Sequence, residues 1–207
     1  MSQNWGIQVL DDLIVELDPP PNRRGKCSGE KERHLTEAAV MLAYGMHLLR
    51  TVPGLMRIEL HPDGEHAKRF EILHWLSVRG FALKESHGST SWCGTYVKED
   101  QVIVVTSIPG KGDVVAATSA GSILAECKGG IVNTRHAGQV SRLRKGLCEA
   151  VGLLMATEKV GRQVAVVPYT ETTNRLAQRM APRAGKAGIA IALVRENGEV
   201  IDIDVAQ

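Results

Sequence analysis

Gly112–Lys128 reads Gly-Asp-Val-Val-Ala-Ala-Thr-Ser-Ala-Gly-Ser-Ile-Leu-Ala-Glu-Cys-Lys and combines two apolar runs with a turn between them. The β-branched and small residues of Val114–Thr118 predict one strand, Ser119–Gly121 predicts the turn, and Ser122–Lys128 predicts the returning strand. Ile123–Ala125 is apolar on both faces, which is typical of a strand in the middle of a buried sheet. The sequence therefore predicts a hairpin at the centre of the fold.

The register of this hairpin decides whether three charged side chains meet. A loop of Ser119-Ala120 places Asp113 opposite Glu126, and a loop of Ala120-Gly121 places Asp113 opposite Lys128. In both registers the three charged side chains share a face, with Cβ atoms roughly 4.5–8 Å apart. A three-residue loop would break the cluster. Two of the three simplest turns therefore bring two carboxylates and one ammonium together.

These three charges favour a metal site. Two carboxylates held close together repel each other, and folding does not favour their approach unless a cation lies between them. Oxygen ligands suit Mg²⁺ or Mn²⁺, and such a cation could polarise a phosphoryl oxygen and activate water. Asp113 and Glu126 are therefore the predicted metal ligands, and Lys128 would assist water attack or stabilise developing charge. The alternative is a surface hairpin in which Glu126 and Lys128 form a weak exposed ion pair.

The composition limits the classes to which the chain can belong. It has 207 residues, 43% hydrophobic and 4% aromatic, so we expect an aliphatic core in one domain, or in one domain with an arm. A net charge of +2 is not that of a polycation, so any nucleic-acid contact must be a local patch. The four cysteines lack the spacing of a zinc site. Without a signal-peptide pattern or an apolar run of roughly 18 residues, a soluble, cytoplasmic protein without membrane contact is expected.

A basic segment follows Lys128 directly. Gln139–Ala156 predicts the longest helix, and no acidic residue occurs between Lys128 and Lys145. This patch is the best candidate for contact with a phosphate backbone, although most basic helix faces are merely solvated. Gln139 could hydrogen-bond substrate, water or Lys128, or could cap the helix. The predicted nucleic-acid contacts are Arg135, His136, Arg142 and Lys145, together with Lys111 in the glycine-containing loop before Asp113.

The remaining patterns predict an α/β fold with a mixed sheet flanked by helices. Residues 1–34 are expected to form an N-terminal arm or linker, and residues 35–207 the α/β domain. Apolar residues at helical spacing within Trp5–Asp18 predict a short amphipathic helix that packs on its own domain or on a partner subunit. The other predicted helices are Leu35–Arg50 with a Thr36 cap, about Glu65–Arg79 with an Asp63 cap, and Thr170–Met180. The other predicted strands are 55–60, 81–85, 95–97, 101–106 and 163–167, with a final hairpin of 189–195 and 199–205 across a type I′ turn at Asn197-Gly198.

These residues resemble the PD-(D/E)XK nuclease superfamily, which includes many restriction endonucleases and the archaeal Holliday-junction resolvases. The likeness rests on Gly112-Asp113, on Glu126-Cys127-Lys128, on the long helix that follows and on the strand Val164–Pro168. The superfamily core is a helix, three strands, a helix and a strand, and it would cover about residues 65–168. The resemblance implies a restriction-endonuclease-like fold and metal-dependent hydrolysis of nucleic-acid phosphodiesters. The roles it implies are metal ligand for Asp113 and Glu126, catalytic lysine for Lys128 and further site residue for Gln139.

The sequence departs from the superfamily pattern at two points. Pro109 lies four residues before Asp113 instead of directly before it. Many members also carry a glutamate in the first core helix. Glu71 is the closest match, so the resemblance implies that it is a further metal ligand, and Glu65 is the second match.

The expected function is a Mg²⁺- or Mn²⁺-dependent endonuclease that hydrolyses phosphodiester bonds, with DNA as the expected substrate. One alternative is a catalytically silent nucleic-acid-binding module on the same fold. Another is an adaptor subunit that uses the N-terminal arm as its hook. A homodimer is compatible with the first function, since cutting both strands of a duplex usually takes two sites.

Overall fold

The computed structural model describes residue 10 and residues 12–62, 70–107, 112–119, 121–158 and 161–203. Within these residues the chain forms four α-helices and twelve strands, and the strands belong to two sheets. The helices are α1 (Glu37–Thr51), α2 (Ile72–Ser77), α3 (Ala137–Ala156) and α4 (Glu171–Lys186). The strands are β1 (Ile14–Leu17), β2 (Glu32–Leu35), β3 (Arg57–Leu60), β4 (Ala82–Ser86), β5 (Gly94–Lys98), β6 (Gln101–Val105), β7 (Val114–Thr118), β8 (Gly121–Cys127), β9 (Gly130–Ile131), β10 (Arg162–Pro168), β11 (Ile189–Val194) and β12 (Val200–Ile203). The predicted α/β class is confirmed.

The large sheet contains nine strands in the order β12-β11-β10-β8-β7-β3-β6-β5-β4. It is mixed, because β10 runs parallel to both β8 and β11 and β3 runs parallel to β6, whereas the other neighbours are antiparallel. The hairpin of β7 and β8 lies in the middle of this sheet, where a strand that is apolar on both faces is expected. Since β3 pairs with β7, the segment from α2 to β6 is inserted between two neighbouring central strands.

Helices cover both faces of the centre of this sheet. Helix α1 packs on one face, where its buried side chains join those of β3, β7, β8 and β10 in the larger core. Helices α3 and α4 pack on the other face, over β8, β10 and β11, and form the second core. Burial of apolar side chains on both faces is the dominant favourable contribution to such a fold. In the part of the chain that the structure describes, no helix combines the length and the apolar character needed to cross a bilayer.

The N-terminal segment contains a strand where a helix was expected. Residues 1–9 and 11 lie outside the described residues, but Ile14–Leu17 forms β1, which pairs antiparallel with β2 in a small sheet completed by β9. The β-branched residues that begin β1 suit a strand, and pairing with β2 overrides the helical spacing of the apolar residues. Leu10, Leu13 and Leu35 are buried in the larger core. The described part of this segment therefore packs on its own domain.

Most of the other predicted elements are confirmed, and three of them differ in detail. The helix expected at about 65–79 is described only in part. Residues 63–69, which include the expected Asp63 cap and Glu65, lie outside the described residues, and the remainder contains the short helix α2. Helix α4 continues through Pro182 to Lys186, beyond the expected end at Met180. The final hairpin forms, but Asn197 lacks the positive φ that a type I′ turn requires, and Val194 pairs with Val200 across a wider loop.

A close approach at Gly129 joins the centre of the sheet to α1. This glycine follows Lys128, and a Cβ atom built on it would lie 2.5 Å from the backbone nitrogen of Glu37 and 2.7 Å from the carbonyl oxygen of Leu35. Neither backbone atom can move away without displacing the start of the helix. Glycine at this position therefore allows the first turn of α1 to lie against the end of β8.

We expect Gly129→Ala to lower the free energy of unfolding by about 1–3 kcal/mol, because the added methyl group overlaps backbone atoms. Gly152→Ala is the matched control, since Gly152 lies in α3 and a Cβ there meets nothing within 4 Å. That control should raise the free energy of unfolding by roughly 0.5–1 kcal/mol through helix propensity. Urea denaturation of both variants measures the two effects, and equal stability of the two variants would contradict the proposed close packing.

Candidate active site

The hairpin register brings Asp113 and Glu126 together. Thr118 pairs with Gly121 and Val114 with Ala125, which is the first of the two predicted registers that unite the charges, and Asp113 and Glu126 are the residues directly beyond the last of these pairs. The Asp113 backbone nitrogen donates to the carbonyl oxygen of Ala125 at 2.9 Å. The Cys127 backbone nitrogen donates to Oδ2 of Asp113 at 2.7 Å, so the carboxylate takes part in the hydrogen bonding between the two strands.

The environment of Glu126 disfavours its negative charge. Burial and, after it, the charges of Asp113 and Glu37 raise the pKa of the Glu126 carboxyl to about 7, against the opposing influence of Lys128. Desolvation and like charges act in the same direction on a carboxyl group. Glu126 therefore changes charge near neutral pH, where an ordinary surface glutamate is fully ionised.

Lys128 lies between carboxylates from two helices. Its Nζ atom is 3.6 Å from Oε2 of Glu37 in α1 and 3.6 Å from Oε1 of Glu149 in α3. Burial alone lowers the pKa of Lys128, but Glu37, Asp113, Glu149 and Glu126 outweigh burial and raise the pKa above its ordinary value. The ammonium is therefore charged at every physiological pH, and it joins the hairpin electrostatically to both helix layers.

Glu37 is a site residue that sequence reasoning missed. Thr36 caps α1 as predicted, accepting a hydrogen bond from the backbone nitrogen of Ala39 at 3.2 Å, and Glu37 is the first helical residue and is buried. The sequence signal that could have identified Glu37 was its position directly after Thr36, the predicted cap of this helix. Glu71 was the expected glutamate of the first core helix. It is exposed at the start of α2, and it is not among the charges that shift the pKa of Glu126.

A cleft of about 540 Å³ opens beside Lys128. One wall is the face of α3 that carries the predicted residues Gln139, Arg142 and Lys145, and Glu37 and Glu149 also line the cleft. Gln139 is buried there, whereas Arg142 and Lys145 are exposed. Asp113 and Glu126 lie outside this lining, next to Lys128 along the sheet. Lys128 thus lines the basic cleft and is also close enough to Asp113 and Glu126 for their charges to raise its pKa.

The other predicted basic residues lie elsewhere. Arg135 is exposed before α3, and His136 occupies the N-cap position of that helix without a side-chain capping bond. Neither of them lines the cleft. Lys111 lies outside the described residues. Of the five predicted nucleic-acid contacts, Arg142 and Lys145 are therefore the two that the described structure gathers at the cleft.

The opposite wall of the cleft comes from the N-terminal segment. Arg23 and His34 line it, and both bind the buried carboxylate of Glu32. Nε of Arg23 is 2.5 Å from Oε1 of Glu32, and Nε2 of His34 is 3.2 Å from Oε2. The Arg23 guanidinium holds the pKa of Glu32 below its ordinary value despite burial. This network orders two nitrogen-bearing side chains across the cleft from the basic face of α3.

His61 is a second residue that sequence reasoning missed. It follows β3, and its backbone nitrogen donates to the carbonyl oxygen of Asp113 at 2.9 Å. Both of its ring nitrogens are buried, and within the described part of the chain neither has a hydrogen-bond partner. Only the pairing of β3 with β7 brings this histidine next to Asp113, and no local sequence pattern predicts that pairing.

The donor chemistry fits a divalent cation. Asp113 and Glu126 offer carboxylate oxygens, and the burial and like charges that raise the pKa of Glu126 disfavour its negative charge, which a cation as well as a proton would neutralise. The buried, unpartnered imidazole of His61 adds a third donor nearby. Among the described residues, however, no three His, Cys, Asp or Glu side chains already enclose one point as a metal shell. Cation binding therefore requires rotation about side-chain dihedral angles.

Comparison with protein-family models, with curated protein sequences and with solved structures yields no match. The chemistry of the site must therefore be inferred from its own residues: a pair of carboxylates, an ammonium and a basic cleft.

We expect the stability of the protein to fall by about 1–2 kcal/mol between pH 5 and pH 8 on account of Glu126, after allowance for solvent screening. The pKa of Glu126 is raised to about 7 in the folded chain. Between the pKa of Glu126 in the unfolded chain and about 7, the folded state binds more protons than the unfolded state. The free energy of unfolding therefore falls as pH rises through this range. Glu126→Gln should remove this part of the pH dependence and be more stable than the parent at pH 8.

Urea denaturation of both proteins across this pH range measures the difference. Glu71→Gln is the matched control, because Glu71 is an exposed carboxylate on a different element, and its pH dependence should follow that of the parent. A Glu126→Gln profile parallel to that of the parent would show that Glu126 titrates as an ordinary surface residue.

Proposed function

We propose that the chain is a nuclease that uses Mg²⁺ or Mn²⁺ to hydrolyse phosphodiester bonds, with DNA as the expected substrate. The observation that carries this proposal is that Asp113 and Glu126 lie directly beyond the last paired residues of the central hairpin, where the charge of Asp113 acts on Glu126, with Lys128 directly after the same strand. Neither the two carboxylates nor the partly buried ammonium is needed to form a β-hairpin. Their convergence beside a cleft lined with basic residues favours chemistry on a phosphate.

The order of the central elements supports a restriction-endonuclease-like fold. α1, β3, β7, β8, α3 and β10 follow one another as a helix, three strands, a helix and a strand. In this order the core would begin at Glu37, not near residue 65, and the segment from α2 to β6 would be an insertion. Glu37 would then be the glutamate of the first core helix, and it lies 3.6 Å from Lys128.

The residues of the site divide the work of hydrolysis between them. Asp113 and Glu126 would hold the cation, which would supply charge neutralisation at a phosphoryl oxygen and acidify water. The ammonium of Lys128 is oriented by Glu37 and Glu149, and it can stabilise negative charge that develops on the phosphate. Arg142 and Lys145 can hold neighbouring phosphates, and Gln139 can donate to a phosphate or to water in the cleft.

A nucleic-acid-binding module without cleavage activity is the second candidate. It is favoured by the two ion pairs that Lys128 already makes with Glu37 and Glu149, and by the lack, within the described residues, of an assembled shell of three metal ligands. In that case Lys128 would be a structural residue. The two candidates differ in one measurable respect, which is whether loss of Glu126 or Asp113 abolishes a reaction or changes nothing.

We expect the purified protein to cleave DNA with Mg²⁺ or Mn²⁺ and to lose cleavage in EDTA. Asp113→Asn, Glu126→Gln and Lys128→Ala should each reduce the cleavage rate by about 10²–10³-fold, because each removes one charge from the transition-state environment. Binding of DNA should persist in all three. A panel of single-stranded, duplex and branched DNA and of RNA, assayed with and without metal, measures the activity.

A pair of glutamate variants provides the matched control. Glu37→Gln should reduce cleavage, because it removes a carboxylate beside Lys128, whereas Glu71→Gln should leave cleavage unchanged. If the parent protein cuts none of these substrates with either metal yet binds nucleic acid, the binding module is the correct reading and the nuclease proposal fails.

We expect Arg142→Ala to weaken nucleic-acid binding about equally for all sequences. It should also reduce the slope of log K against log[salt] by about 0.7–0.9, because one phosphate contact releases about that many counterions. Lys84→Ala is the control: Lys84 is an exposed cation in β4, at the far edge of the sheet. Fluorescence anisotropy across a range of salt concentrations measures both. Equal slopes for the parent and Arg142→Ala would exclude a phosphate contact at the cleft wall.

A further inference from the structure

His61 has a side chain that is only 9% exposed. Its ring atoms Nδ1 and Nε2 are both buried, and neither has a hydrogen-bond partner among the residues that the structure describes. Nε2 comes no closer than 4.0 Å to the carboxylate oxygen Oε2 of Glu59, which exceeds hydrogen-bonding distance. Buried polar atoms in folded proteins nearly always have a partner, and an exception usually marks a ligand, an ion or a water.

The sheet places this ring in one row with the two site carboxylates. Leu60 pairs with Val114 and Val114 pairs with Ala125, and the next residues along are His61 directly after β3, Asp113 directly before β7 and Glu126 in β8. The hydrogen bond from the His61 backbone nitrogen to the Asp113 carbonyl oxygen continues this row beyond the strand ends. The three paired residues Leu60, Val114 and Ala125 all face the larger core with α1. Because side chains alternate along a strand, His61, Asp113 and Glu126 belong to the opposite face.

We propose that His61 is a nitrogen ligand of the divalent cation that Asp113 and Glu126 hold. This inference rests on the cation site of the proposed nuclease and extends it by one residue and by a metal preference. Neighbouring strands lie about 4.8 Å apart, so a ligand from each of three adjacent strands can reach one ion above Asp113, the middle residue. Coordination would give the ring nitrogen the partner that it lacks.

A histidine in the ligand set changes which cation the site prefers. Mg²⁺ takes oxygen ligands and strict octahedral geometry, whereas first-row transition ions accept imidazole together with carboxylate. The set of one imidazole and two carboxylates therefore favours Mn²⁺ over Mg²⁺. The preference follows from His61 alone, because Asp113 and Glu126 suit both ions.

Mn²⁺ binding to the full-length protein tests this role without any activity assay. Pulsed EPR of the Mn²⁺ complex should show nitrogen modulation from a coordinated ring. His61→Ala should abolish that modulation and weaken Mn²⁺ binding about tenfold or more, as measured by calorimetry. His61→Gln keeps the size of the side chain and offers an oxygen, so it should bind Mn²⁺ without the modulation. His74→Ala is the matched control, since His74 is an exposed histidine in α2, and it should behave as the parent protein.

Two results would overturn the role of His61. One is a parent Mn²⁺ complex without nitrogen modulation. The other is a His61→Ala variant whose modulation and Mn²⁺ affinity equal those of the parent, which would leave His61 as a neighbour of Glu59. Either result leaves the nuclease proposal intact if Mg²⁺ still supports cleavage. Conversely, nitrogen modulation in a protein that cuts no nucleic acid would support the metal site and refute the nuclease.

Discussion

The carboxylates of Asp113 and Glu126 are held together by backbone register, and the rest of the site responds to that constraint. The pairing of Thr118 with Gly121 and of Val114 with Ala125 leaves Asp113 and Glu126 directly beyond the far end of the paired hairpin. Asp113 cannot move away alone, because its backbone is bound to Ala125 and to His61 and its side chain to the backbone of Cys127. The like charges are therefore a consequence of strand pairing, and they have to be offset by groups that reach the site from elsewhere.

Those groups come from parts of the chain remote from the hairpin. Lys128 extends β8 and contacts Glu37 at the start of α1 and Glu149 in the middle of α3. Thr36 fixes where α1 begins, and Gly129 lets that first turn lie against the strand end. The cap, the glycine and the hairpin thus set the position of one ammonium relative to four carboxylates, counting Asp113, Glu126, Glu37 and Glu149. Local sequence features determine the cap, the glycine and the hairpin separately, and tertiary packing determines that they lie next to one another.

This division explains what the sequence could and could not predict. The central hairpin, the long helix with Gln139 and the Thr36 cap follow from β-branched runs, turn residues and helical periodicity, which are local. The sequence left two registers of the hairpin that unite the charges, and the structure adopts the one in which Thr118 pairs with Gly121. His61 was missed because it reaches the site through the pairing of β3 with β7, across the whole insertion from α2 to β6. Glu37 was missed because it reaches Lys128 through the packing of the first turn of α1 against the end of β8. The expected helix at Trp5–Asp18 was wrong for the same reason, since β1 is specified by its partner β2. Patterns within one element do not reveal which distant element will be its neighbour.

The charge balance of the site links protons to cations. Burial and, after it, the charges of Asp113 and Glu37 raise the pKa of Glu126 to about 7, so a proton on Glu126 relieves part of the cost of its charge at neutral pH. A divalent cation at the same place would relieve it more fully, and it would displace that proton, because a carboxylate ligand binds in its ionised form. Proton affinity and cation affinity therefore arise from one electrostatic cause. At high pH the ionised carboxylates of this cluster lower the stability of the fold. A bound cation would offset that cost, so the same arrangement of charges that weakens the fold would favour binding of the cation.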